Sequence, residues 1–139
     1  MISGSIAAAP RAGYLKPLAA ATGVASIAIG CYHFALGTAS VPGATEANAT
    51  VDSRERFYSA VFAGYGIAWV RAARRAPIRA GDVRLLAGIM LAGGAGRLLS
   101  LVRNGRPHWF QDVLTGVEFA VPTAFFALTT RRTAQQPRD

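Results

Sequence analysis

LLAGIMLAGGAGRLLSLV, residues Leu85 to Val102, is the stretch that decides the fold. It carries a single ionisable group, Arg97, and no polar face of the kind a surface helix of a soluble protein presents to water. A helix needs roughly 20 predominantly apolar residues to cross the hydrocarbon of a bilayer. With its flanks this run meets that length, and it predicts a membrane helix over about 84–103. A soluble Ala-rich bundle would need polar faces that this run and the first apolar run do not have.

Three further apolar runs lie around it. After the turn Asn104 to Pro107, residues 110–130 form a second spanning candidate, with Asp112 near its start and Glu118 inside it. His108, Trp109 and Phe110 supply the aromatic character of a membrane interface, matched by Tyr14 and Trp69 near other helix ends. Before it, Phe57 to Val70 lies between Arg56 and Arg71. This predicts a helix over about 56–72, short for a span unless both arginines reach towards the headgroups. Further upstream, residues 18–37 form another long apolar run. Gly37-Thr38-Ala39 resembles a signal cleavage site, but a signal core is typically about 7–15 residues, so this helix is expected to be retained. Ser40 to Asp52 reads as a loop, with Asp52 or Ser53 to cap the second helix, and Ala76 to Gly81 as a tight hairpin.

Composition supports this reading. The chain has 139 residues, enough for one domain, with 52% hydrophobic and 16% charged residues and a mean hydropathy of +0.29. A soluble domain averages about 25% charged residues. The net charge of +8 alone would admit a nucleic-acid partner, but its placement points to a membrane. Ten basic residues precede the first helix, lie between the second and third, or follow the fourth; the other two loops hold four. That asymmetry accounts for most of the charge without nucleic acid, and the positive-inside rule places both termini in the cytoplasm. The expected fold is therefore all-α: a polytopic membrane protein of four transmembrane helices in one domain over 1–139, N-in and C-in. Residues 1–12 and 133–139 are expected to be disordered. The bacterial inner membrane is the expected location, and the lipid bilayer the primary partner. A homo-oligomer or a membrane partner protein is also allowed.

A charge in a span costs about 2.5–3.5 kcal/mol on insertion scales, so Arg97 and Glu118 need partners. Counting along antiparallel helices at 1.5 Å per residue brings them to nearly the same depth, which predicts an ion pair. Tyr65 and Ser100 fall at similar depth, with His33 and Arg56 nearer the outer rim. Arg97, Glu118, Arg56, Tyr65, Ser100 and His33 are thus the candidate polar cluster. Pro122 cannot donate to the carbonyl of Glu118, which leaves that oxygen free beside a carboxylate. A pair that merely ties two helices together is the simpler reading. Small residues recur at every fourth position, as in Thr22-Ser26-Gly30, Ala60-Gly64-Ala68, Gly88-Ala92-Gly96 and Gly116-Ala120-Ala124, and predict close helix packing. The lone Cys31 permits no intramolecular disulfide, and neither a metal motif, a phosphate loop nor a nucleophile motif is present. No catalytic residue, metal site or cofactor is therefore assigned. His33 and His108 read as packing and interfacial residues rather than haem ligands.

Asp52-Ser53-Arg54-Glu55-Arg56-Phe57-Tyr58, Gly64-Tyr65-Gly66, Gly93-Gly94-Ala95-Gly96-Arg97-Leu98-Leu99-Ser100, Gly105-Arg106-Pro107 and Glu118 together resemble the bacterial domain-of-unknown-function family 4345. The resemblance runs from about Leu18 to Thr130. It implies a short protein of four membrane helices and supplies no established activity; Arg56, Arg97 and Glu118 match its recurrent polar positions. The functional expectation is a non-enzymatic bundle that binds a lipid-like ligand or a partner subunit. The alternatives are an oligomeric small transporter or proton-coupled carrier using Glu118, and an intramembrane enzyme using Glu118 or His33.

Overall fold

The computed structural model describes residues 11–133 apart from Thr45. It is all-helical, with no strand among the described residues. A 3-10 turn, Arg11–Tyr14, leads into α1 (Leu15–Leu36), and a second, Gly37–Ser40, closes it. α2 (Ala49–Arg74), α3 (Ala80–Asn104) and α4 (Trp109–Thr133) follow. The terminal segments expected to be disordered lie outside the described residues, except that 11, 12 and 133 fall within helical turns.

Three of the four helices are long and apolar enough to cross a membrane. α2 is not, although at 26 residues it is the longest. Its charged ends exclude it by composition, whereas Phe57 to Val70 within it is free of charge. The sequence places the start of α2 near Arg56, but the helix begins a full two turns earlier. Its cap is neither Asp52 nor Ser53 but Asn48, whose side chain accepts a hydrogen bond from Val51 N at 3.1 Å. Asp52 is drawn instead to Arg56 and Thr38. The α2–α3 connection is also shorter than expected, because Gly81 belongs to the first turn of α3.

Antiparallel neighbours pack as two hairpins, α1 with α2 and α3 with α4. α1 and α2 approach to backbone contact. A Cβ on Gly30 would lie 2.7 Å from both Ala63 N and Ser59 O, and one on Gly66 would lie 2.6 Å from Gly23 O. Lipid tails are as apolar as leucine, so such close contact is what drives association. The contact register differs from the expected stripes. In α1, Ala19, Gly23, Ser26 and Gly30 are buried. Gly30 meets Ser59 and Ala63 of α2 and Gly23 meets Gly66 and Val70, whereas Gly64 faces open space. Gly88, Gly96 and Gly116 also have no neighbour, and α3 meets α4 through Gly94, against Phe119 and Glu118. A four-residue repeat in an Ala/Gly-rich chain marks several faces of each helix, and only packing selects one.

The hairpins join at one end. Leu15, Ala19, Trp69, Ala72, Ala73, Ile78, Val83, Leu86, Ala87 and Phe125 form the core. All of them lie where α1 and α3 begin and α2 and α4 end. Trp69 stacks on Phe125 at 4.3 Å between ring centroids. This end also carries Lys16, Arg71, Arg74, Arg75, Arg79 and Arg84, and is called the basic end below. Towards the far end, Phe57, Val61, Leu99, Val102 and Val113 are more than half exposed. An apolar surface of this extent is unsuited to water. With the three spanning helices it makes the chain a multi-pass membrane protein.

Candidate functional site

The far half of the α3–α4 hairpin holds the most concentrated polar chemistry. Arg97 lies seven residues before the end of α3 and Glu118 nine residues after the start of α4, about 10 and 13 Å along their helices. They meet as expected: Arg97 Nε donates to Glu118 Oε1 at 2.9 Å and Oε2 at 2.8 Å. Gly94 makes room for this, because its missing side chain lets the Cβ of Glu118 and the ring of Phe119 lie against α3. Arg97 Nη1 also donates to Gln111 Oε1 at 2.5 Å. Gln111 escaped the sequence reading, yet it stands seven residues, two helical turns, before Glu118 and so shares its face.

Beside this trio lies a half-open cleft of about 650 Å³, lined on its polar side by Arg97, Ser100, Arg106, Gln111, Asp112 and Thr115. Leu98, Leu101 and Pro107 complete it. Its volume falls within the roughly 300–1,000 Å³ of small-molecule sites. Each cation in it has its own anion: Arg97 pairs with Glu118 at 2.8 Å and Arg106 with Asp112 at 3.0 Å. The lining is therefore close to neutral. It offers free donors, since Arg97 Nη2 and Gln111 Nε2 bond to nothing else among the described residues.

The other expected members of the cluster lie elsewhere, so the single cluster of the sequence reading divides into three. Arg56 belongs to the far end of the α1–α2 hairpin. Its Nη1 donates to Phe34 O at 2.8 Å and Ala35 O at 3.0 Å, closing the end of α1, where backbone carbonyls lack helical partners. Its Nε holds Asp52 Oδ2 at 2.8 Å, while Asp52 Oδ1 accepts from Thr38 N at 3.0 Å. These bonds hold the Asp52 carboxyl below the usual carboxylate range, that from Arg56 most strongly and that from the Thr38 backbone next. His33 stands nearby, its Nδ1 2.6 Å from Ser40 Oγ and 3.4 Å from Glu55 Oε1. Ser40 donates to Gly37 O at 2.6 Å, so the proton between Ser40 and His33 belongs to Nδ1. His33 thus fastens the α1–α2 connection.

Tyr65 is the third location. Its hydroxyl donates to Leu86 O at 2.6 Å and ties α2 to α3. Ser100 does line the cleft with Arg97, but it is exposed and accepts only a long 3.4 Å bond from Asn104. Depth along a helix can be counted in a sequence. Which hairpin a side chain faces depends on helix rotation, and here each hairpin satisfies its own polar groups. One further contact was not foreseen: Arg84, at the expected start of the third helix, lies in the first turns of α3 and donates to buried Thr129 at 3.1 Å.

Among the described residues, no cluster of three or more histidine, cysteine, aspartate or glutamate side chains could hold a metal ion. No curated protein and no solved structure matches the chain. A family model does match, over residues 14–129, and takes in both hairpins with the Arg97–Glu118 pair. The chain therefore belongs to the family described as Domain of unknown function (DUF4345).

Proposed function

We propose that this protein is a non-enzymatic receptor or carrier for a lipid-like molecule, held in the cleft between α3 and α4. The observation that carries the reading is the wall of that cleft. A charge-balanced polar lining offers the free donors of Arg97 and Gln111, next to apolar Leu98 and Leu101. That chemistry fits an amphipathic ligand whose head is uncharged or zwitterionic and rich in acceptors, such as carbonyl or ester oxygens. In this reading all four helices span the bacterial inner membrane with both termini in the cytoplasm, as the basic end favours. α2 reaches across because Arg56 finds its partners in the end of α1 and Arg71 lies at the headgroups. The cleft then opens in the outer leaflet.

The reading is tested by native mass spectrometry of protein purified in mild detergent, comparing the natural chain with Thr115→Trp. The indole is meant to fill the cleft while leaving Arg97 and Glu118 themselves unaltered. The expected result is a bound small molecule at near-stoichiometric occupancy in the natural chain, reduced at least tenfold in the variant at an unchanged melting temperature. Bare protein in both samples, with a second protein co-purifying, would replace the ligand by a partner subunit. A proton-coupled carrier is the second reading, favoured by the carboxylate of Glu118 one turn before a buried proline.

A further inference from the structure

The basic end carries a different kind of opening. Between α2 and α3, beside their short connection, runs a groove of about 240 Å³. Ala68 and Ala72 of α2 and Leu85 and Leu86 of α3 form its apolar wall, and Arg71, Arg75 and Asp82 its polar part. Arg71 lies in the last turn of α2, and Arg75 follows directly after the helix, where the backbone turns extended. Asp82 engages only one of them, with Arg75 Nη1 3.2 Å from its Oδ2. Arg71 makes no ion pair or hydrogen bond among the described residues. Arg74 and Arg79 are near in sequence but do not line the groove.

The contrast with the far cleft is informative. There every cation is matched by an anion, whereas here cations outnumber the one carboxylate. The apolar wall leads from the arginines along the helices into the span, and Leu85 is 67% exposed on it. Two guanidiniums above a wall of small and branched side chains present, in order, a site for a phosphate and a track for a hydrocarbon chain. Basic pockets between membrane helices are suited to anionic lipid headgroups. Arginine also matches the geometry of phosphate oxygens through paired N–H donors.

We infer that this groove binds an anionic phospholipid of the leaflet at the basic end. Arg71 and Arg75 grip its phosphate, and an acyl chain lies along Ala68, Ala72, Leu85 and Leu86. The site is separate from the α3–α4 cleft and does not depend on the ligand proposed there.

The test is native mass spectrometry of the full chain in detergent, titrated with dioleoyl phosphatidylglycerol or phosphatidylcholine. The natural chain is expected to prefer phosphatidylglycerol at least tenfold. The exposed pair Arg71→Gln/Arg75→Gln should weaken that binding about 30-fold, at roughly fivefold for each charge lost near a membrane surface. Arg79→Gln, outside the groove, should change it less than threefold. A tenfold excess of inorganic phosphate should leave the lipid bound. Undiminished binding in the double variant, an equal loss in Arg79→Gln, or no preference between the lipids would each overturn the assignment. Displacement by inorganic phosphate would overturn it too, by showing that the arginines hold a free anion rather than a lipid.

Discussion

Gly30→Leu is expected to abolish the α1–α2 hairpin. Even a Cβ at this position would sit 2.7 Å from backbone atoms of Ala63 and Ser59, and backbone in a helix cannot step aside as a side chain can. The helices must separate, which forfeits contacts along the whole seam, including those of Gly23 with Gly66. Overpacking ordinarily costs about 1–3 kcal/mol, and the rigid neighbours here put the cost at or above the top of that range. In a protein whose stability is on the order of 5–15 kcal/mol, the loss should appear as a large fall in melting temperature or in yield of monodisperse protein. Gly64→Leu is the matched control. It adds the same side chain to the same hairpin where nothing lies within 4 Å, so it should shift stability by no more than about 0.5 kcal/mol. Similar damage from the two variants would show that the register of this seam is wrong.

The second large effect is at Glu118. Glu118→Ala leaves Arg97 within a span with only Gln111 as a partner. Removing one member of a buried pair costs about 3–5 kcal/mol, because the other charge stays behind uncompensated. This pair is partly open to the cleft, with side-chain exposures of 37% and 21%, so the lower end, about 3 kcal/mol, is the expected loss. Replacing both members with apolar residues of similar size, Arg97→Met with Glu118→Leu, should recover most of that loss. Thermal unfolding of the single and double variants in one detergent measures the coupling. A double variant as unstable as the sum of its singles would mean that the two side chains do not act as a pair. If the double variant regains stability but loses the cleft's ligand, the pair is retained for binding and not for folding.

How far the sequence foretold these features differs from residue to residue. The apolar run Leu85 to Val102 identifies a membrane helix, since the length of a span and the absence of a polar face need no tertiary information. The meeting of Arg97 with Glu118 was legible for a related reason: a short turn enforces antiparallel neighbours, and rise per residue then fixes relative depth. Rotation about the helix axis was not legible. Tyr65 and His33 have suitable depths, yet Tyr65 turns to Leu86 O and His33 to Ser40. The glycine stripes failed for the same reason, since Gly64 and Gly88 fit the repeat as well as Gly30 does but face away from any neighbour. The start of α2 was missed because Ala49 to Glu55 is too polar to extend an apolar pattern. That turn forms because Asn48 caps it and because Asp52 and Arg56 bind the end of α1. The two openings differ in a way that composition cannot express: the same arginine-rich chain pairs its cations at one end and leaves them in excess at the other.

In the proposed topology the α3–α4 cleft and the basic end face opposite sides of the membrane. That arrangement is tested most directly by labelling intact cells with a membrane-impermeant maleimide. The protein would carry Cys31→Ala together with either Asn104→Cys, beside the cleft, or Ala76→Cys, at the basic end. Asn104→Cys is expected to label in intact cells, and Ala76→Cys only after the membrane is opened. Labelling of both positions from outside, or of Ala76→Cys alone, would contradict that topology.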